Sequence, residues 1–272
     1  MVKLSGFADE ISQDLGEQLD TLESLGIKYF EFRGVWDKNV LALNQEELVK
    51  VKAEIDRRGI GVSALGSPIG KAPIDADFDD YKKLVQHAID VANVMETPYI
   101  RIFSFYCNDL NEDREEVMRR MQAMVDMAAA GGVTMLHENE KGIYGEQAER
   151  CLDLHQTIVG DSFRATFDPA NFVQAGVKPF DTAYPLLKPY IGYFHIKDAV
   201  MGKGKVVPAG QGDGQVRELM AAAKETGYDG FLSLEPHLKV AGHSTGYTGP
   251  ELFATAVNAL RAILDDLDIT AE

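Results

Sequence analysis

The chain alternates between two hydrophobic rhythms. Eight short apolar runs, bounded by glycine or proline and rich in β-branched and aromatic residues, read as strands: 2–8, 28–33, 61–67, 98–105, 132–138, 163–169, 191–198 and 230–236. Between them lie longer stretches whose apolar residues recur three and four apart, the spacing of one helix face: 15–26, 44–59, 77–95, 111–132, 145–160, 179–190, 214–227 and 249–267. In the first, Leu15, Leu19, Leu22 and Leu25 share a face and Gly26 ends it. The second opens on a capping Asn44 and closes on Arg57, Arg58 and Gly59. Pro185 interrupts 179–190, which makes that helix the least regular.

Eight strand–helix units with no linker between them predict an α/β fold, a single (β/α)8 TIM barrel filling 1–272 as one domain. A doubly wound open sheet is the alternative. It usually carries a glycine-rich turn after its first strand, and "GFADEISQD" has none. The last residues, "DITAE", are expected to fray.

Charge narrows the picture. The formal net charge is −16, which opposes general affinity for nucleic-acid phosphates or anionic membranes. No stretch approaches the ~18 apolar residues of a membrane span. The N-terminus has no apolar run of the secretory kind. Cys107 and Cys151 lack metal-type spacing and read as reduced thiols. These features predict a cytoplasmic protein without nucleic-acid or membrane partners.

The ends of the last four strands carry the candidate chemistry. Glu138 closes "TMLHE", Asp168 follows "ATF" in "ATFDP", His195 lies in "YFHIKD" and Glu235 in "LSLEP". In a barrel these positions share one rim, and neighbouring strands lie only ~4.8 Å apart. Three carboxylates that close repel one another, and a divalent cation among them removes the conflict. Three oxygen donors with one imidazole suit Mn²⁺ first, with Co²⁺, Mg²⁺ or Zn²⁺ as alternatives. The lack of thiolates speaks against a closed structural zinc site.

This set of residues resembles that of the xylose isomerase-like barrels, the sugar phosphate isomerases and epimerases. "HIKD", "PAGQGDG", "GYDGFLSLE" and "TFDPANF" are similar to the family's late segments. The resemblance covers nearly the whole chain. It implies that Glu138, Asp168, His195 and Glu235 are metal ligands and that Glu138 and Glu235 also serve as the acid/base pair. It further implies deprotonation beside a carbonyl of a small sugar or polyol, through an enediolate. Two departures separate the chain from the ketohexose 3-epimerases: Asn171 stands where they carry a histidine, and Lys197 and Asp198 stand where they carry an arginine. "HIKD" is also similar to inosose dehydratase, so a lyase on the same metal site is the alternative reading. An endonuclease IV-like nuclease is opposed by the acidic charge and the few histidines. A sugar-binding barrel without turnover is opposed by the retention of both glutamates.

Other residues have two readings each. Arg33 suits a substrate carboxylate or phosphate, or forms a rim ion pair with Glu31. Trp36 walls the pocket or packs on a helix. Asn171, Lys197 and Asp198 are placed at the substrate. Arg101, inside the fourth strand, fits a salt bridge in a barrel layer as well as a site. "PAGQGDG" reads as a tight turn before a phosphate loop. His137 should alternate away from Glu138. His237 is close enough to Glu235 to support it, and His243 lies farther along. A homodimer or tetramer is the expected assembly.

Overall fold

The structure is a computed structural model and describes residues 1–238 and 248–272; His243 lies outside them. Each apolar run contains a parallel strand: β1 (Lys3–Gly6), β2 (Tyr29–Phe32), β3 (Gly61–Gly66), β4 (Tyr99–Ile102), β5 (Thr134–Glu138), β6 (Phe163–Phe167), β7 (Ile191–Ile196) and β8 (Phe231–Leu234). They pair in chain order from β2 to β8, and β8 pairs with β1. A single parallel bridge, Phe7 to Glu31, joins β1 to β2 and completes the hoop of a (β/α)8 barrel.

The helices lie between the strands: α1 (Leu15–Ser24), α2 (Gln45–Arg58), α3 (Phe78–Val94), α4 (Arg114–Ala130), α5 (Ala148–Thr157), α6 (Pro169–Gln174), α7 (Tyr184–Leu187), α8 (Val216–Glu225) and α9 (Pro250–Asp266). At α2, Asn44 and Glu47 form a reciprocal capping box, and Gly59 ends the helix at φ 68°, a conformation a side chain would strain. Residues 179–190 do not form one helix. A π-helical turn at Pro179–Ala183 leads into the four-residue α7, because Pro185 fits only the first turn of a helix.

The period of two along the strands divides inside from outside. Leu136 and Tyr193 meet Ala64 within the barrel, with Tyr99 and Phe231 packed on them, and plug its foot. Two residues farther along the same strands stand Glu138, His195, Arg101 and Ser233. Residues of the opposite phase, such as Met135, Phe194 and Ile100, face the helices in the main core.

The C-terminal residues do not fray. Val2 N–H donates to Thr270 O, Leu4 N–H to Glu272 O, and Glu272 N–H to Val2 O. Lys3 and Phe7 donate to the β8 side, so the alternate N–H groups of Val2 and Leu4 point to the edge facing β2. Residues 270–272 satisfy those groups and fill the foot of the seam. No described helix is long and apolar enough to cross a membrane.

Candidate active site

Glu138, Asp168, His195 and Glu235 come together at the strand C-termini. One potential ligand atom from each lies within 4.8 Å of every other, and all four residues are buried. Asp168 also caps α6: its Oδ1 accepts from Asn171 N–H at 2.8 Å. Its Oδ2 is buried and met by Lys197 Nζ at 2.9 Å, and His195 Nδ1 lies 3.2 Å from Glu138 Oε1, both ion contacts outside regular hydrogen-bond geometry. His195 Nε2 donates to Glu31 Oε2 at 3.0 Å, and Ser233 Oγ donates to the same oxygen. A carboxylate can only accept, so the Nε2 proton is fixed and the Nδ1 face is turned to the cluster.

Charges balance locally. Lys197 Nζ lies 2.6 Å from Glu235 Oε2 and 2.9 Å from Asp168 Oδ2. Arg33 donates to Asp9, Glu10 and Glu235, and His237 Nε2 lies 2.8 Å from Glu10 Oε1. Burial alone would push the Glu235 carboxyl up, but Lys197 and His237 hold it well below the usual carboxylate range. Burial likewise works against an ionised Glu138, and His195 and Arg101 outweigh it. Asp168 goes the other way: burial raises it and Lys197 only partly offsets that. His195 is pushed up to about 10 against its burial by Glu31 and Glu138. Buried, it carries a proton that balances the carboxylates and that a divalent ion on Nδ1 would replace.

A cavity of about 280 Å³ opens onto the cluster, lined by Glu138, Glu235, Lys197, Asn171, Arg101 and Lys71 among others. Asn171 Nδ2 donates to Glu138 Oε1 at 3.0 Å and to Asn139 O at 2.9 Å, so it aligns the glutamate. Arg33 lines the cavity too, though three carboxylates occupy its donors.

Two expected substrate contacts fall elsewhere. Trp36 packs against the core from a small hairpin, at φ 54° with its N–H on Gln13 O, and is not among the cavity-lining residues. Asp198 is fully buried, and its carboxylate accepts from the N–H groups of Ala199, Gly210, Gly212 and Gly214. The anion cradled by "PAGQGDG" is therefore the chain's own Asp198. A Cβ on Gly212 would meet Asp198 Oδ1 at 2.4 Å, which explains the glycine.

Glu31, Glu10 and Asn139 belong to the same network; Glu31 is a charge inside the apolar run 28–33, whereas Glu10 and Asn139 follow the runs 2–8 and 132–138 and carry no signal of their own. His137 does alternate outward, donating or accepting at Ser104 Oγ, and burial holds it neutral with its ionisation pushed down to about 4.

Fold and strand-end cluster together define a TIM barrel with a site able to take a divalent cation. The chain belongs to the xylose isomerase-like TIM barrel family, whose model matches residues 19–263. Among solved structures it is similar to the probable 3-DHS dehydratase AsbF of petrobactin synthesis from Bacillus anthracis, with TM-score 0.77 at 17% identity over 96% of this chain and 99% of that one. A D-tagatose 3-epimerase-like protein gives 0.78 at 17% identity over 98% of each chain. The IOLI protein, solved with a bound zinc atom, gives 0.77 at 16% identity over 98% of each. No curated protein matches the sequence significantly.

Proposed function

We propose that this protein is a divalent-metal-dependent isomerase or epimerase of a small sugar or sugar derivative. The carrying observation is the convergence of Glu138, Asp168, His195 and Glu235, all buried, with one potential ligand atom of each within 4.8 Å of every other. Those four residues would hold the ion, Mn²⁺ first and Co²⁺, Mg²⁺ or Zn²⁺ as alternatives. A cation bound there lowers the cost of negative charge on a substrate carbonyl oxygen and so makes the adjacent C–H acidic.

The chain's residues supply the rest. Glu138 and Glu235 form the acid/base pair: one, ionised, takes the proton beside the carbonyl, and either gives it back at the neighbouring carbon or releases it to solvent while the other, first protonated from solvent, delivers a proton to the opposite face. Such positioned proton transfer is worth ~10²–10⁴-fold. Asn171 aligns Glu138, while Arg33 and His237 align Glu235. Lys197 remains an ammonium: burial works against its charge, but Asp168 and Glu235 hold its ionisation well above the ordinary lysine value. It faces the cavity and stabilises the enediolate oxygen.

The same Lys197 supports a second reading, an inosose dehydratase-like lyase. Deprotonation would be shared, and Lys197 would assist the departing hydroxyl. Protein stripped with EDTA, reloaded with Mn²⁺ and offered ketoses and inososes in D₂O separates the two. Deuterium entering a carbon position marks isomerisation, whereas an ultraviolet-absorbing enone marks water loss. Activity should vanish with EDTA and return with Mn²⁺. Glu235→Gln should lower kcat at least ~100-fold without changing circular dichroism. Metal-independent turnover, or an active Glu235→Gln variant, overturns the proposal.

A further inference from the structure

Arg101 is the loose end in the cavity. It lines the cavity, and its side chain is only 6% exposed. Among the described residues its guanidinium donates no hydrogen bond. Nε is buried without a partner, 3.3 Å from Glu138 Oε2 and 3.9 Å from Glu31 Oε1, in neither case with hydrogen-bond geometry. Arg33 beside it is saturated by carboxylates, so the difference is local. The Arg101 fork stacks 4.5 Å from the Phe103 ring centroid, and Lys71 Nζ lies 4.2 Å from the same centroid. A Cβ on Gly66 would meet Phe7 Cε1 at 2.7 Å and Arg33 Cβ at 2.9 Å before Arg101 Nη2 at 3.3 Å, so the glycine makes room for all three side chains. Among the described residues Lys71 pairs with Glu140, at 3.1 Å. That pair is partly exposed and holds its lysine loosely.

Glu138 and Glu31 balance the charge of Arg101, but a buried donor that makes no hydrogen bond is still destabilising. Nature tolerates such a group where a ligand supplies the acceptor. The cavity is lined by cations and by Glu138, Glu140 and Glu235 alike; Lys197 is held by Glu235 and Asp168 and Arg33 by three carboxylates, which leaves Arg101 and Lys71 as the cations with donors to offer an anion. A planar fork matches a carboxylate through two parallel hydrogen bonds.

We propose that the substrate is a polyhydroxy acid, its carboxylate held by Arg101 with Lys71 as the second cation. This rests on the cavity being the substrate site of the isomerase reading, and it names the substrate class within that reading. Arg101 is a binding residue here, close to the metal-ligand cluster.

The test uses the Mn²⁺-loaded full chain and three matched pairs that offer no ketone or aldehyde to isomerise: gluconate, galactonate and mannonate, each against its own alditol, with ultraviolet absorbance followed to exclude dehydration during the titration. Calorimetry should show at least one aldonate binding tenfold or more tighter than its alditol. Arg101→Gln should bring that ratio to about one, and Arg101→Lys should restore part of it. Equal binding within every pair, no aldonate binding at 10 mM, or a preference that survives Arg101→Gln overturns the proposal. Tighter Arg101-dependent binding of glucitol 6-phosphate than of any aldonate would reassign the subsite to phosphate and overturn the carboxylate. A separate Mn²⁺ titration keeps the two readings apart. Loss of metal binding counts against the isomerase, while the aldonate preference is scored on its own.

Discussion

Glu31 finds its partner 164 residues away in the sequence. As a charge inside "YFEF" it was visible, and its burial follows from strand alternation. That it orients His195 was not legible, because the contact crosses the barrel. Glu31→Gln should therefore weaken Mn²⁺ binding by about 10–100-fold, the usual cost of losing a carboxylate behind a metal-binding histidine. An equilibrium titration followed by electron paramagnetic resonance measures this, and an unchanged affinity would remove Glu31 from that role. The four strand-end residues were legible from spacing alone, since each lies in the last two residues of a strand or directly after it, where the strand's period still fixes its face. Trp36 and Asp198 were misjudged for the opposite reason. They follow strands rather than ending them, and there a two- or three-residue hairpin decides direction: Gly34–Val35 with Lys38–Asn39, and Asp198–Val200 with Lys205–Val207.

Among the elements, the loop after β7 depends most on one side chain. Four backbone N–H groups converge on Asp198, and hydrogen bonds to a buried charge contribute ~1.5–3 kcal/mol each without adding fully. Asp198→Ala should cost about 3 kcal/mol or more, read as a lower urea midpoint at unchanged slope. A loss below about 1 kcal/mol would mean that the glycines hold their turn unaided. The eight strands and most helices were legible because their apolar periods are long and regular. The sixth unit was not. Pro169 opens α6 within residues that continue the apolar run of β6, so strand and helix share one stretch of sequence.

For the whole molecule, closure of the hoop is uneven. Seven strand junctions are ladders, while β1 meets β2 through one bridge. At the mouth, Arg33 ties β2 to Asp9, Glu10 and Glu235 across that junction. At the foot, residues 270–272 take the place of a ladder. Their pairing with Val2 and Leu4 was not legible, since a three-residue polar tail has no period to read. Removing 270–272 should cost about 2–3 kcal/mol, near 1 kcal/mol net for each of three hydrogen bonds. The melting temperature should fall by about 5 °C or more. An unshifted melt would show that the seam needs no filler. Both chain ends sit at that foot, on the far side of the barrel from the cavity. A fusion partner or solid support fastened after Glu272 would therefore hang away from the mouth of the cavity.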